Sequence, residues 1–449
     1  MQKHAPPSKS SETRTARPPR RPGRRLHNLA RELAWHVLVE LERSTYCQHL
    51  DDMLHRACDD YNLPPRDHAL AYELVCGCVR NKTLLEFYIG QCSTRSAATL
   101  DTGLRWMLVL ALYQIEFLDR VAAYAAVNET VEICHHVRRS EWAGYANGVL
   151  RTFLRQRELR AIREPDDPAT RWSHPPWLVE LYAAVFGAEN LEQILRWNNH
   201  IPTHYARVRG VREDVLAALP PGAAEPANEF GADMLRMRDV PRVIHSAAFR
   251  EGALYVMQPW SVRTARLLRL QPGWRVLDMC AAPGGKSIIL ADDGASHVVA
   301  LDNAAHRIRA LNDNLRRCHI TTVEPRVLDG RDVLNEFGAH SFDAVLLDAP
   351  CSNLGVIQRH PEIRWRVTPD EPARLAREQR ALLAAALRAV KPGGPVLYAV
   401  CTITPDETTA IIAEAAQALC EFQELTCPGT GGFDGGYAAL LRAKSAVSG

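Results

Sequence analysis

Four short, mostly apolar runs alternate with helical patterns such as Ala304–Arg317 and Pro369–Val390. The runs are Arg275–Met279, His297–Leu301, Phe342–Leu347 and Pro395–Val400. That alternation leaves few folds open. Strands this apolar must be covered on both faces, and strands separated by helices pair in parallel. The chain from about residue 251 is therefore expected to form a parallel sheet with helices on both sides. Ligands of such sheets bind beyond the carboxyl ends of the strands, so the residues that close these runs are the first candidates for chemistry.

Upstream the texture differs. Residues 26–158 carry helical stripes: Leu29, Leu33, Val37, Leu38 and Leu41; Leu70, Leu74 and Cys78; and Leu104, Met107, Leu108, Ala111, Leu112 and Ile115. The 3.6-residue spacing predicts amphipathic helices around a common core. Residues 159–250 are broken by Pro165, Pro168, Pro175, Pro176, Pro202, Pro220 and Pro221 and read as a connector plus a small accessory module. With 449 residues the chain has room for about three domains of ~100–200 residues. The expected division is a basic arm over 1–25, a helical domain over 26–158, the connector and module over 159–250, and an α/β domain over 251–449. There is no internal repeat.

Composition excludes several classes. Hydrophobic residues at 47% and charged residues at 24% are those of a globular chain, not a disordered or fibrous one. The longest apolar stretch, Leu104 to Leu118, is interrupted by Arg105, Gln114 and Glu116 and falls short of the ~18 residues of a membrane span. The net charge of +2 conceals a split. Residues 1–25 carry eight basic side chains against Glu12, leaving 46 basic and 51 acidic side chains for the rest. Such an arm suits a polyanion or simply stays solvated with no fixed partner. Its prolines argue against an organellar transit peptide. The twelve cysteines show no CxxC spacing and no secretory signal precedes them, so free thiols in a reducing cytoplasm and no metal site are expected.

The first strand closes in Val276-Leu277-Asp278-Met279-Cys280-Ala281-Ala282-Pro283-Gly284-Gly285-Lys286-Ser287, a strand, a small-residue turn and a helix start. A dinucleotide GxGxxG is absent, and a Walker A loop fails because Cys280 stands where its first glycine belongs. A turn without the full glycine set suits a ligand with no pyrophosphate, such as S-adenosylmethionine. Asp302 closes the next strand, placed to accept hydrogen bonds from ribose hydroxyls.

Two thiols close two further strands. Asp348-Ala349-Pro350-Cys351-Ser352 ends one, and Cys401 ends the other just before a helix start. Two cysteines beside an acid and a cofactor turn point to chemistry rather than packing. Carbon 5 of a pyrimidine is a poor nucleophile until a thiolate adds at carbon 6. A carboxyl group near ring nitrogen 3 stabilises the adduct, and a base then removes the carbon 5 proton. Asp348 suits the ring-nitrogen role; the spacing does not decide which thiol attacks.

These residues carry a resemblance. LDMCAAPGGKS, DAPCSNLGVIQRHPEIRW, KPGGPVLYAVCTITPDE and FDGGYAALLRAK resemble the RNA cytosine-C5 methyltransferase family of Sun/Nol/Nop type. RDHALAYELVCGCVRN, AVNETVEI and YANGVLRTFLRQR resemble the NusB-like RNA-binding helical domain. The combination is similar to bacterial 16S ribosomal RNA cytosine-C5 methyltransferases. It implies an all-α NusB-like domain followed by a Rossmann-like, S-adenosylmethionine-dependent methyltransferase domain. It also implies a monomer acting on small-subunit ribosomal RNA, with no DNA or membrane partner. Carried over by position, Cys280, Ala281, Ala282, Pro283, Gly284, Gly285 and Lys286 would hold the methionine side of the cofactor. Asp302 would bind its ribose, Asp329 would lie near its adenine, and Asp348 beside both donor and base. Cys401 would be the nucleophile and Cys351 would aid release. The chain departs from the family pattern at Val400 and Thr402 around the nucleophile, at Asn353, at Arg209 and at Thr408.

Three local expectations complete the reading. Gln358-Arg359-His360-Pro361 and Arg364-Trp365-Arg366 offer guanidinium and indole groups suited to phosphate contact and base stacking, against a solvated loop anchored by Trp365. A base that must reach a buried thiol has to leave its stack, which favours single-stranded or looped RNA. Thr368-Pro369-Asp370-Glu371 and Thr404-Pro405-Asp406-Glu407 each read as a capping box with proline at N1, so Glu407 is expected to be structural. Two rivals to the ribosomal substrate are a tRNA cytosine-C5 methyltransferase and a non-catalytic RNA-binding or ribosome-assembly factor.

Overall fold

The computed structural model describes residues 29–44, 50–415 and 418–444, so the basic arm at 1–25 lies outside the described residues. Seven helices form the N-terminal unit: α1 (Leu29–Arg43), α2 (Leu50–Tyr61), α3 (Pro65–Arg80), α4 (Lys82–Cys92), α5 (Thr102–Phe117), α6 (Ala123–His136) and α7 (Ser140–Glu158). The stripes identified in the sequence face a shared core. In α5 burial goes beyond the stripe: Trp106, Val109, Leu110, Tyr113 and Gln114 are buried as well. A helix apolar all round becomes the central one, and its polar edge is used by pairing Arg105 with Glu42 and Glu86.

Helices Pro168–Arg171, Pro176–Phe186 and Ala188–Asn199 lead from this unit to a four-stranded antiparallel sheet ordered β2-β3-β1-β4. Its strands are β1 (His204–Val208), β2 (Ala224–Pro226), β3 (Met234–Met237) and β4 (Leu254–Val256). The change of texture at residue 251 thus falls just before the last strand of this small sheet.

The C-terminal sheet has seven strands in the order β10-β11-β9-β8-β5-β6-β7. They are β5 (Arg275–Met279), β6 (His297–Asp302), β7 (Val323–Val327), β8 (Ala344–Asp348), β9 (Pro395–Val400), β10 (Ala418–Thr426) and β11 (Gly436–Ala443). Strands β5 to β9 are parallel; β11 joins β9 and β10 joins β11 antiparallel. Alternate residues bury on opposite faces. Leu277, Val299, Val345 and Tyr398 pack under helix Glu371–Ala389, while Val276, Val298, Leu346 and Leu397 face the side covered by Gly285–Asp292 and Ala305–Arg317. Burial on both sides is why these strands are apolar throughout. Among the described residues no helix is long and apolar enough to cross a membrane.

Candidate active site

Register brings the strand-closing residues to one edge. Asp278 pairs across to Ala300, Met279 to Leu347, and Asp348 to Ala399. The turns after β5 and β8, the end of β6 and the residue after β9 therefore share the carboxyl edge of the parallel strands. Ala281 donates its N–H to Leu301 O at 2.7 Å, and Ala349 to Ala399 O at 2.9 Å, which ties the turns together. Gly284 takes φ +103° as it opens helix Gly285–Asp292, a conformation that costs a side-chain-bearing residue about 1 kcal/mol or more.

Three carboxylates line this edge. Asp278 is fully buried and accepts from Ser287 Oγ at 2.5 Å, while its Oδ1 has no partner. Burial pushes its carboxyl up to about 7, with the Ser287 hydrogen bond opposing and Asp348 adding. Asp302, 2% exposed, accepts from Ala304 N at 3.2 Å. Its Oδ2 makes no hydrogen bond, although Arg307 lies 3.3 Å away. Asp348 accepts from Lys286 Nζ at 2.5 Å. Burial works against the Lys286 ammonium, yet Asp348 and then Cys401 raise it on balance. An edge with acidic groups, two buried oxygens that accept no hydrogen bond and no pyrophosphate cradle fits a cationic ligand with free hydroxyls. Asp329 closes the turn after β7, but both its oxygens are held by Arg331, whose hydrogen bonds keep its carboxyl below the usual range.

The thiols converge on the same place. Burial pushes Cys401 up to about 12, with Asp348 adding and Lys286 opposing. Cys351 is held well above the ordinary thiol value by burial, then by Cys401 and Glu407, while the backbones of Asn353 and Cys401 oppose. Both residues are half-buried rather than fully enclosed. Gly355 threads the gap between their loops: its N–H reaches Cys401 O at 3.1 Å, and a Cβ there would meet Gly435 O at 2.3 Å. Cys280 lies on the turn with φ +60° and is pushed up to about 12 by burial, then Asp348.

The structure corrects three expectations. Glu407 does not close a capping box: Thr404 makes no side-chain cap bond, and helix Thr409–Glu414 begins only after a 3-10 turn. Instead the Glu407 carboxylate reaches the loop of the other thiol and accepts from Ser352 N at 2.9 Å and Ser352 Oγ at 2.5 Å. At the other proposed box, Asp370 is the cap residue, without a side-chain bond, and the helix starts at Glu371. The segment 358–366 is not an open RNA-facing loop. Arg364 is fully buried and donates to Ser173 O at 3.0 Å, Asn198 O at 2.9 Å, Asn199 Oδ1 at 2.7 Å and Arg80 O at 3.4 Å. Trp365 Nε1 donates to Val79 O at 2.9 Å, and Gln358 O accepts from Arg80 at 3.1 Å. These groups are spent at the junction with the helical unit. Arg209 is likewise remote from the thiols, forked onto Asp292 at 2.8 Å by two nitrogens.

Comparison with known proteins adds an independent line. The family described as 16S rRNA methyltransferase RsmB/F matches residues 265–434, and the NusB family matches residues 28–155. Ribosomal RNA small subunit methyltransferase B of Proteus mirabilis is 33% identical over 85% of this chain and 92% of its own length. The probable ribosomal RNA small subunit methyltransferase B of Bacillus subtilis is 30% identical over 88% and 89%. Among solved structures, PH0851 superposes over 91% of this chain and 98% of its own with TM-score 0.74 at 23% identity. NSun6 from Pyrococcus horikoshii, solved with SFG, covers 60% of this chain and 98% of its own with TM-score 0.53 at 20% identity.

Proposed function

The chain belongs to the 16S rRNA methyltransferase RsmB/F family, and from that premise we propose that it methylates carbon 5 of a cytosine in small-subunit ribosomal RNA through a covalent adduct of Cys401. The observation that carries this reading is the convergence of Cys351, Cys401 and the Lys286–Asp348 pair on one sheet edge. The methyl donor is S-adenosylmethionine, which supplies an electrophilic methyl group on a sulfonium when bound; SFG, present with NSun6, is its analogue. Asp302, with a buried oxygen that accepts no hydrogen bond, suits the ribose, and the turn from Cys280 to Lys286 the methionine portion. Asp329 contributes by position, since Arg331 occupies its oxygens.

The residues divide the remaining work. Cys401 adds as thiolate to carbon 6, and its electron pair passes through the ring so that carbon 5 becomes the nucleophile. Lys286 opposes the upward shift of Cys401 and holds Asp348 in place. Asp348 meets the ring-nitrogen edge and stabilises the adduct. After transfer a base removes the carbon 5 proton with Cys351 aiding release, and the electron pair returns to expel the Cys401 thiolate. A thiol at about 12 is about 7 kcal/mol from ionised at neutral pH, at ~1.4 kcal/mol per unit. Lys286 already opposes the shift within that value, so the positive charge of the donor, when bound, would have the gap to close. The helical unit and the small sheet are the surfaces assigned to holding RNA.

Incubation with labelled donor and unmodified small-subunit rRNA is expected to yield 5-methylcytidine on digestion, with no label in tRNA. Cys401→Ala is expected to abolish transfer, and Cys351→Ala to accumulate a protein–RNA adduct. Label in tRNA alone moves the substrate; adduct with Cys401→Ala but none with Cys351→Ala reverses the thiols; binding without transfer ends the reading.

A further inference from the structure

Glu407 is fully buried, and three of the four residues that donate to its carboxylate, Ser352, Thr402 and Thr404, belong to the two thiol loops. Its Oε1 accepts from Ser352 N at 2.9 Å and Gln379 Nε2 at 3.0 Å. Its Oε2 accepts from Ser352 Oγ at 2.5 Å, Thr404 Oγ1 at 2.8 Å and Thr402 Oγ1 at 3.2 Å. Gln379, from helix Glu371–Ala389, also donates to Pro350 O at 2.8 Å. Ser352 Oγ and Thr402 Oγ1 lie 2.7 Å apart, and Tyr398 OH donates to the Glu407 carbonyl at 2.8 Å.

The pattern is specific to the neighbours of the sulfurs. Pro350 and Ser352 flank Cys351, and Thr402 follows Cys401. All three are tied to one carboxylate or to the amide beside it. A buried carboxylate with five donors is costly to disturb, because every donor left behind loses its partner away from water. A capping role needs none of the contacts to Ser352 or Gln379.

We propose that Glu407 is a positioning residue that fixes the Cys351 and Cys401 loops relative to each other, so that both sulfurs meet the same ring. This rests on the function assigned above. Glu407 touches neither substrate nor donor; it acts through the backbone on either side of the thiols.

The test uses the full-length protein and small-subunit rRNA transcribed with 5-fluorocytidine, which retains the adduct because fluorine replaces the departing proton. Glu407→Ala is expected to slow adduct formation and kcat by about 10²-fold, the loss that a ~1 Å misplacement produces. KM for the RNA should stay within about threefold, since uniform binding is untouched. Glu407→Gln should remain within about tenfold of wild type, because its carbonyl can accept from Ser352 N while its amide donates to hydroxyls free to rotate. If Glu407→Ala does not fold, Ser352→Ala and Thr402→Val remove one contact on each side and should each slow adduct formation by about tenfold. In RNA-free protein, iodoacetamide labelling of Cys351 and Cys401, read by mass spectrometry, should accelerate in these variants. Wild-type adduct rates in all variants, a change confined to KM, or unchanged labelling overturns the proposal. A wild-type protein that transfers no methyl group overturns the assigned function instead, and the labelling still decides on Glu407.

Discussion

Cys401 is a nucleophile candidate that its surroundings keep protonated: burial takes it to about 12, Asp348 adds, and Lys286 opposes. The sign of the pH dependence follows. The thiolate fraction of RNA-free protein should grow about tenfold per pH unit through the neutral and alkaline range, without levelling at the ordinary thiol value. Iodoacetamide labelling of Cys401 measured against pH checks this, and Lys286→Met should slow it further at every pH by removing the opposing cation. An inflection near 8–9, the ordinary ~8.5 of a free thiol, would contradict the burial argument. Cys351, Cys401 and Asp348 were legible in the sequence because each closes an apolar run. Glu407 was not, because Thr404-Pro405-Asp406-Glu407 already satisfies a local rule while its partner Ser352 stands 55 positions away.

The central parallel strands were readable because burial on both faces makes them mostly apolar, whereas β11, though buried along most of its length, was not read as a strand. Strands β5 and β9 match the apolar runs residue for residue. Strand β7 passed unseen because Glu324, Pro325 and Arg326 interrupt it at the sheet edge, where an unpaired side tolerates proline and charge. Strand β10, at the opposite edge, is mostly exposed or half-buried and likewise gives no apolar run. The departure at Arg209 has an explanation at this scale. Beyond its fork on Asp292, its Nη1 donates to Gly252 O at 2.9 Å and Cys318 O at 2.7 Å, so one side chain fastens the small sheet to the helical cover of the large one. Arg209→Ala is expected to cost about 2–3 kcal/mol of stability by leaving Asp292 and two carbonyls short of partners. Methyl transfer per folded molecule should be unchanged; denaturant melts and activity at matched folded fraction check the pair. A large loss of transfer without loss of stability would place Arg209 at the target site after all.

At the scale of the whole molecule, the stretch that starts at Cys351 runs straight into the junction with the helical unit. Glu362 Oε1 accepts from Leu50 N at 3.3 Å, Lys82 Nζ lies 5.3 Å from the Trp365 ring centre, and Arg364 reaches the end of α3, the turn after helix Pro168–Arg171 and the end of helix Ala188–Asn199. The sequence showed cations and an aromatic beside a thiol, a pattern that RNA contact and domain contact share; only the position of residues 80, 173 and 198 separates them. Arg364→Met should destabilise the protein by about 3 kcal/mol, since three buried acceptors and a half-buried one lose their donor while one desolvated charge disappears. Arg364→Lys should fall between, keeping charge without the fork. Calorimetry should resolve separate transitions for the helical unit and the rest in the methionine variant, and a single unshifted transition would refute the coupling. The junction also bears on how such a chain can be taken apart. Cut after the seventh helix, the fragment that keeps both sulfurs would expose the Trp365 indole and leave the Arg364 guanidinium without its full set of oxygens. The two halves are not interchangeable cassettes joined by a tether: each supplies part of the other's interior, and swapping one means rebuilding the seam.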